Sequence, residues 1–147
     1  YIMEKEGLSI QEMRNILISE GGVYGISGIS GDFRDITRGM QEGNERATLA
    51  FNAFAYHVKR YIGEYLAALN GTDFIVLTGG LGQHSPLMRK EILKNMENIG
   101  IVLDDAKNDQ VLDEGIVSKD DSPVKLLVLE TNEELIVAGE VERFLRS

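Results

Sequence analysis

An open α/β sheet is the fold class this sequence predicts, and three observations predict it. Two short apolar runs, Phe74-Ile75-Val76-Leu77 and Val124 to Leu129, have the length and composition of buried strands. Each is followed by glycine or polar residues and then by a helix start, at Ser85-Pro86 and at Thr131-Asn132-Glu133-Glu134. Elsewhere, apolar residues recur at helical spacing. In such sheets ligands sit beyond the carboxyl ends of the strands, which puts Gly79 to His84 and Thr131 to Glu134 on one edge.

Composition supports a single globular domain. The chain has 147 residues, 43% hydrophobic and 27% charged, enough to bury a core. No apolar run approaches the roughly 20 residues of a membrane span, and no signal peptide opens the chain, so a soluble, cytoplasmic protein is expected. The absence of cysteine leaves no disulfide or thiolate metal site and suits a reducing compartment. A formal charge of −9 without a local basic patch argues against nucleic acid and anionic membrane as partners.

Taken in order, Tyr1 to Gly7 lacks an initiator methionine and reads as the last turns of a helix closed by Gly7, as though the chain begins mid-protein. Ser9-Ile10-Gln11-Glu12 is a capping box, and Ile10, Met13, Ile16 and Leu17 share one face of the helix it starts, which ends near Gly21-Gly22. Gly21 to Gly31 is too glycine-rich for a regular element and too apolar for a free linker, so an ordered loop packed on the core is expected.

Asp32-Phe33-Arg34-Asp35 joins an exposed-looking aromatic to a guanidinium between two carboxylates. Two readings stand side by side. Arg34 offers paired donors to a phosphate while the Phe33 ring covers a nucleobase, or Asp32 caps a helix and Arg34 makes a surface ion pair. Gly43 to Leu69 predicts a long helix rich in alanine and aromatics on more than one face, suited to the core or to the core plus a homodimer contact. His57 within it reads as structural.

Asp73 to Pro86 is the stretch around which the chain is organised: a strand, the glycines Gly79, Gly80 and Gly82, and a helix beginning at Pro86. Glycines there let the backbone approach a ligand with free N–H groups turned toward it, and a phosphate is the natural guest. A turn that only packs strand against helix is the other reading. No Gly-Lys-Ser/Thr follows, so this is not a P-loop, and Ser85 replaces the third glycine of a dinucleotide fingerprint. Leu87 to Ile99 predicts an amphipathic helix closed by Gly100. Ile101 to Leu103 and Ile116 to Ser118 predict short strands, and Asp104 to Gln110 a polar turn. The last helix carries Leu135, Ile136, Ala138, Val141, Phe144 and Leu145. Glu133 in its first turn suits either the helix dipole or a Mg²⁺ ion, which prefers hard oxygen ligands.

These residues carry a resemblance. Ser27-Gly28 with Ser30, Asp32-Phe33-Arg34-Asp35, Thr78-Gly79-Gly80-Leu81-Gly82, Gly100-Ile101 with Leu103-Asp104 and Lys107-Asn108, and Thr131-Asn132-Glu133-Glu134-Leu135 stand in the order and spacing found in acetate kinases. The chain resembles the C-terminal, nucleotide-binding part of that family, in the superfamily of actin, sugar kinases and the Hsp70 ATPase. The resemblance covers nearly the whole chain. It implies a ribonuclease H-like, actin-like ATPase domain, a mixed sheet flanked by helices, spanning residues 1–147 of a longer two-domain, dimeric kinase.

The resemblance also implies roles. Asp32, Phe33 and Arg34 match the segment flanking the adenosine. Gly80, Leu81, Gly82, Gln83 and His84 match the second ATP-binding segment, and Glu133 the glutamate associated with Mg²⁺. The reaction implied is ATP plus acetate giving ADP and acetyl phosphate, with the carboxylate pocket and catalytic residues supplied by the preceding part, so this chain alone is expected to be inactive. Two departures are present: Gly82-Gln83-His84 stands where the family usually has Gly-Glu-Asn, and Glu130 precedes Thr131 where proline is usual. They leave open another short carboxylate, such as propionate or butyrate, and a non-catalytic nucleotide-responsive module of the same fold.

Overall fold

A computed structural model describes residues 1–146, without the side chain of Glu133. The structure is mixed α/β, and its contacts separate into two compact units, Tyr1–Tyr65 and Leu66–Ser147.

The first unit is helical. Helix α1 (Ile2–Glu6) closes on Gly7, whose φ of 66° is left-handed. Helix α2 (Ile10–Asn15) starts at the expected capping box: the Glu12 N–H donates to Ser9 Oγ and the Ser9 N–H donates to the Glu12 carboxylate at 2.8 Å. A π-helical turn, Ile16–Glu20, continues it to Gly21. The apolar face of this segment is largely bare, with Ile10, Leu17 and Ile18 exposed.

The stretch after Gly21 is not the loop its glycines imply. It forms helix α3 (Gly22–Ser27), ended by Gly28 at φ 69°. Each helical glycine costs about 1 kcal/mol relative to alanine, a penalty rather than a prohibition. Arg46 offsets it by donating from Nε to the Ile26 carbonyl at 2.9 Å and from Nη2 to the Gly25 carbonyl at 3.1 Å. The guanidinium thus satisfies acceptors at the negative end of the helix.

Helices α4 (Phe33–Gln41) and α5 (Glu45–Leu69) provide the core of this unit, where Ile36, Ala47, Ala50, Phe51 and Ala55 are buried. They approach closely because Gly39 has no side chain: a Cβ there would lie 3.1 Å from that of Ala47. Phe33, which the sequence leaves exposed-looking, is half-buried, its ring centroid 4.6 Å from that of Phe54 and 6.4 Å from that of Phe51. Two phenyl rings one helical turn apart on α5 give it an apolar seat, and tilted and edge-on aromatic pairs are favourable. His57 and Tyr56 are both exposed, so His57 is not a core residue.

The second unit holds a three-stranded sheet of order β1-β3-β2, formed by β1 (Phe74–Leu77), β2 (Gly115–Ile116) and β3 (Lys125–Val128). β1 and β3 are parallel, with Leu77 opposite Val128, and β2 is antiparallel to β3. The face bearing Leu77, Leu126 and Val128 is buried. Phe74, Val76 and Ile116 lie on the other face and are about half exposed, so the unbroken apolar run of β1 does not mean burial on both sides within this chain. Apolar composition says that a face needs cover, not which segment supplies it.

Helices α6 (Gly79–His84) and α7 (Pro86–Leu93) follow β1, so helical structure begins at Gly79, within the glycines rather than after them. The amphipathic helix expected to reach Ile99 stops at Leu93. Asn95 takes a left-handed φ of 59°, and a 3₁₀ turn at Glu97–Ile99 leads to Gly100 at φ 85°. Asp104 to Gln110 is not a polar turn but helix α8 (Asp105–Gln110), capped by Asp104, which accepts from the Lys107 N–H. Ile101 and Leu103 make single bridges, to Val124 and Ser118, instead of a strand. Helix α9 (Glu133–Leu145) begins as its sequence indicates, with Asn132 Oδ1 accepting from the Leu135 N–H at 2.9 Å. Its apolar residues, Phe144 and Leu145 among them, are exposed. Among the described residues no helix is long and apolar enough to cross a membrane.

Leu126 is fully buried at the centre of the sheet. Leu126→Ala should therefore cost about 2–5 kcal/mol, the range for a leucine truncated inside a core. Urea unfolding measures it; a loss below about 0.5 kcal/mol, typical of surface sites, would mean that this face is not the core of the unit.

Candidate functional site

β1 and β3 run side by side in the same direction, so their carboxyl ends open on one edge. The chain leaves β1 through Thr78 into α6, and leaves β3 through Leu129 to Asn132 into α9. Between these exits lies a cavity of about 500 Å³ lined by Gly79, Gly80, Gln83 and His84 on one side and Glu130, Thr131, Asn132 and Glu134 on the other. This is the placement expected for ligands of an α/β sheet, and its size falls among small-molecule sites.

The glycines of the turn divide the two readings between them. At Gly79, with φ 69°, and at Gly80, an added Cβ would meet nothing within 4 Å, so open space lies over both. At Gly82 a Cβ would stand 2.9 Å from the carbonyl carbon of Leu77. Gly79 and Gly80 leave backbone accessible to a ligand, whereas Gly82 is needed because α6 presses on the end of β1.

The lining is mostly polar, with Glu130 and Glu134 on one side and Gln83 and His84 on the other. The Glu130 N–H donates to the Glu114 carboxylate at 3.1 Å, which fixes the exit from β3. Among the described residues no three His, Cys, Asp or Glu side chains cluster as a metal cage. That donor set suits Mg²⁺ only in its usual manner, through one or two carboxylates completed by water and substrate phosphates.

Of the residues singled out by sequence, Gly80, Gln83 and His84 come together at the cavity, with Gln83 buried and His84 exposed. Leu81 and Gly82 lie on the same helix but are not part of its lining. The Glu133 side chain lies outside the described residues; its backbone opens α9.

Asp32, Phe33 and Arg34 belong to the first unit. Asp32 caps α4 by accepting from the Arg34 N–H at 2.8 Å, and its carboxylate also accepts from Arg34 Nε at 3.0 Å and Nη2 at 2.5 Å. Arg34 is 90% exposed, so its guanidinium is held by Asp32 and still faces solvent. Hydrogen bonds from the Arg34 side chain, and then from its backbone N–H, pull the Asp32 carboxyl down to about 2.

Sequence reading passed over Arg89 and gave Asn108, quoted only within the Lys107-Asn108 motif, no role of its own. Arg89 is fully buried, and its hydrogen-bond partners lie in α6 and α8, where Asn108, also buried, receives it. The trace was visible: Arg89 shares helical spacing with Ile92, Leu93 and Met96, which places a cation on the apolar face of its helix.

Known proteins resemble this chain in sequence and in fold. The model of the acetokinase family matches residues 1–139. The chain is 48% identical over 145 residues to an acetate kinase of Natranaerobius thermophilus, covering 99% of this chain and 36% of that protein. The solved acetate kinase of Porphyromonas gingivalis superposes with a TM-score of 0.87 at 38% identity, over 98% of this chain and 36% of that one. A propionate kinase from Francisella tularensis superposes with a TM-score of 0.83 at 32% identity, over 94% and 35%. The chain thus spans a little over a third of the length of the relatives it matches.

The Asp32–Arg34 contact makes a titration prediction. Because the folded carboxyl titrates about 2 rather than at its ordinary 3.8, the contact stabilises the folded chain above pH 4 and that contribution is lost as pH falls through about 2. An NMR titration should place the Asp32 midpoint near pH 2, returning toward 3.8 in Arg34→Ala. Equal midpoints would remove Arg34 as the cause.

Proposed function

The chain belongs to the acetokinase family, and from that premise we propose that it is the nucleotide-side part of an acetate kinase, acting within a longer chain. The observation that carries the reading is the cavity at the carboxyl ends of β1 and β3, walled on one side by the open backbone of Gly79 and Gly80 and on the other by Glu130 to Asn132 and Glu134, where the chain enters α9. On this reading the fold is that of the actin-like ATPases, and the cavity takes the phosphate side of ATP or ADP.

The reaction would transfer the γ-phosphoryl group of ATP to acetate. A carboxylate oxygen forms the new P–O bond as the bond to the β-phosphate oxygen breaks, giving acetyl phosphate and ADP without a covalent protein intermediate. The protein's contribution to such a transfer is positioning and charge neutralisation. The backbone of Gly79 and Gly80 would let the phosphates approach without a side chain in the way. Asp32, Phe33 and Arg34 are assigned to the adenosine from their match to the family's segment, with the exposed Arg34 guanidinium oriented by Asp32. Mg²⁺, when bound, offsets charge on the phosphates, and Glu133 is the residue we assign to it, with Glu130 and Glu134 as neighbouring carboxylates. The acetate pocket is assigned to the part of the protein beyond this chain, which by itself would not turn over. The bare tyrosines of α5, Tyr56 and Tyr61, suit a homodimer contact.

The likeness to a propionate kinase at 32% identity favours a second acyl acceptor, propionate, on the same nucleotide site.

In the full-length protein, MgATP and acetate should yield an acyl phosphate that hydroxylamine traps, and propionate in parallel reads the acyl preference. Product from neither would sink the kinase reading. Gly80→Val should fold normally, because space is open there, while raising the nucleotide KM about tenfold or more by filling the site. Arg34→Ala should lower turnover by a comparable factor; an unchanged nucleotide KM in the first variant would move the nucleotide elsewhere.

A further inference from the structure

Arg89 is the most conspicuous charge in the second unit because it is entirely buried. Four of its five N–H donors are used. Nε donates to Asn108 Oδ1 at 2.7 Å and Nη2 to the Asn108 carbonyl at 2.7 Å. Nη1 donates to the carbonyls of Gly82 at 2.9 Å and Gln83 at 2.7 Å. Among the described residues it has no carboxylate at ion-pair distance. Asp109 acts on it only at longer range, and burial draws its pKa down from the ordinary value.

For stability alone this is an expensive choice. A guanidinium taken out of water loses strong hydration, and neutral acceptors recover only part of it; an apolar side chain of similar volume often serves a core equally well or better. A methionine at 89 would fill the space but could not hold two backbone carbonyls. What the guanidinium adds is a fixed geometry among three pieces of chain. It grips the last turn of α6 from behind, and Asn108 closes the frame by donating from Nδ2 to the Pro86 carbonyl at 3.1 Å. At the same residue the absent side chain of Gly82 lets α6 rest against the backbone of Leu77. The helix that carries Gly79, Gly80, Gln83 and His84 to the cavity is therefore clamped between the end of β1 and a buried cation.

We propose that Arg89, seated by Asn108, is a positioning residue for nucleotide binding, holding the Gly79–His84 helix in the orientation that opens the cavity. This rests on the nucleotide reading of that cavity. Arg89 touches no ligand in this account and acts through the carbonyls of Gly82 and Gln83.

The test uses the full-length protein with three variants: Arg89→Lys, which keeps the charge but not the fork; Arg89→Met, which keeps the volume; and Asn108→Ala, which removes one acceptor and leaves Arg89 in place. Leu126→Ala, which removes none of the clamp's hydrogen bonds, serves as the destabilised control. Mg-ADP affinity by calorimetry, the KM values for MgATP and acetate, and amide exchange of residues 79–84 are measured on each. The expected result is Mg-ADP affinity weakened about tenfold or more in every clamp variant that folds, with Arg89→Lys least affected. The MgATP KM should rise in parallel, the acetate KM should stay within about twofold, and exchange should quicken at residues 79–84, while Leu126→Ala loses stability without losing affinity. Wild-type affinity in Asn108→Ala and Arg89→Met would overturn the positioning role and leave the nucleotide reading standing. A loss of affinity in Leu126→Ala equal to theirs would also overturn it, since general destabilisation would then suffice. A wild-type protein that binds no Mg-ADP would remove both.

Discussion

The end of β1 can meet α6 only because residue 82 has no side chain. With a Cβ there 2.9 Å from the Leu77 carbonyl carbon, any other residue would push the helix off the strand. From that contact the rest of the second unit follows. α6 lies tight against the sheet edge, its first two residues face open space, and its last carbonyls turn inward where a buried donor can take them. The parallel pairing of β1 with β3 then brings the start of α9 to the opposite wall. A site made this way is a by-product of packing, and its shape is only as fixed as that packing.

Within each unit, elements come close to one another by the same means. Gly39 lets α4 settle against Ala47 on α5, as Gly82 lets α6 settle against β1. In each unit a guanidinium also donates to carbonyls in the last turns of a short helix: Arg46 for α3 and Arg89 for α6. Their settings differ. Arg46 is exposed and does this work in water, where a lost partner is replaced by solvent, whereas Arg89 has no such recourse.

Local chemistry was legible in the sequence wherever it is decided within a few residues. The Ser9–Glu12 box, the caps at Asp32, Ser85 and Asn132, the left-handed glycines at 7 and 100, and the strands within the apolar runs at 74–77 and 124–129 depend on near neighbours, and these stand where their residues indicate. What depends on distant chain was not legible. Gly22 to Ser27 became a helix with support from Arg46, some 20 residues away, and Phe33 found cover on α5. The helix after Pro86 stopped short because Asn95 adopts a left-handed turn that its periodicity does not announce. For the site, the glycine turn and the start of α9 were readable from the rule for strand ends. For Arg89 only its place on an apolar helix face was readable, and for Asn108 only its motif; their pairing was not, because it joins residues 19 positions apart.

The bare face of the sheet has a practical corollary for anyone handling this chain by itself. β1 is an edge strand, its outer hydrogen-bonding side unpaired among the described residues, and it presents Phe74 and Val76 on the open face. Ile116 extends the same apolar surface, and the exposed leucines, isoleucine and phenylalanine of α9 add a second. Edge strands with apolar faces recruit other edges, and exposed apolar patches recruit one another. The net charge of −9 opposes such association through repulsion, and salt weakens that repulsion within a Debye length of about 8 Å at physiological ionic strength. Self-association of the isolated chain should therefore rise with both protein and salt concentration, as its charge and its uncovered surface act against each other.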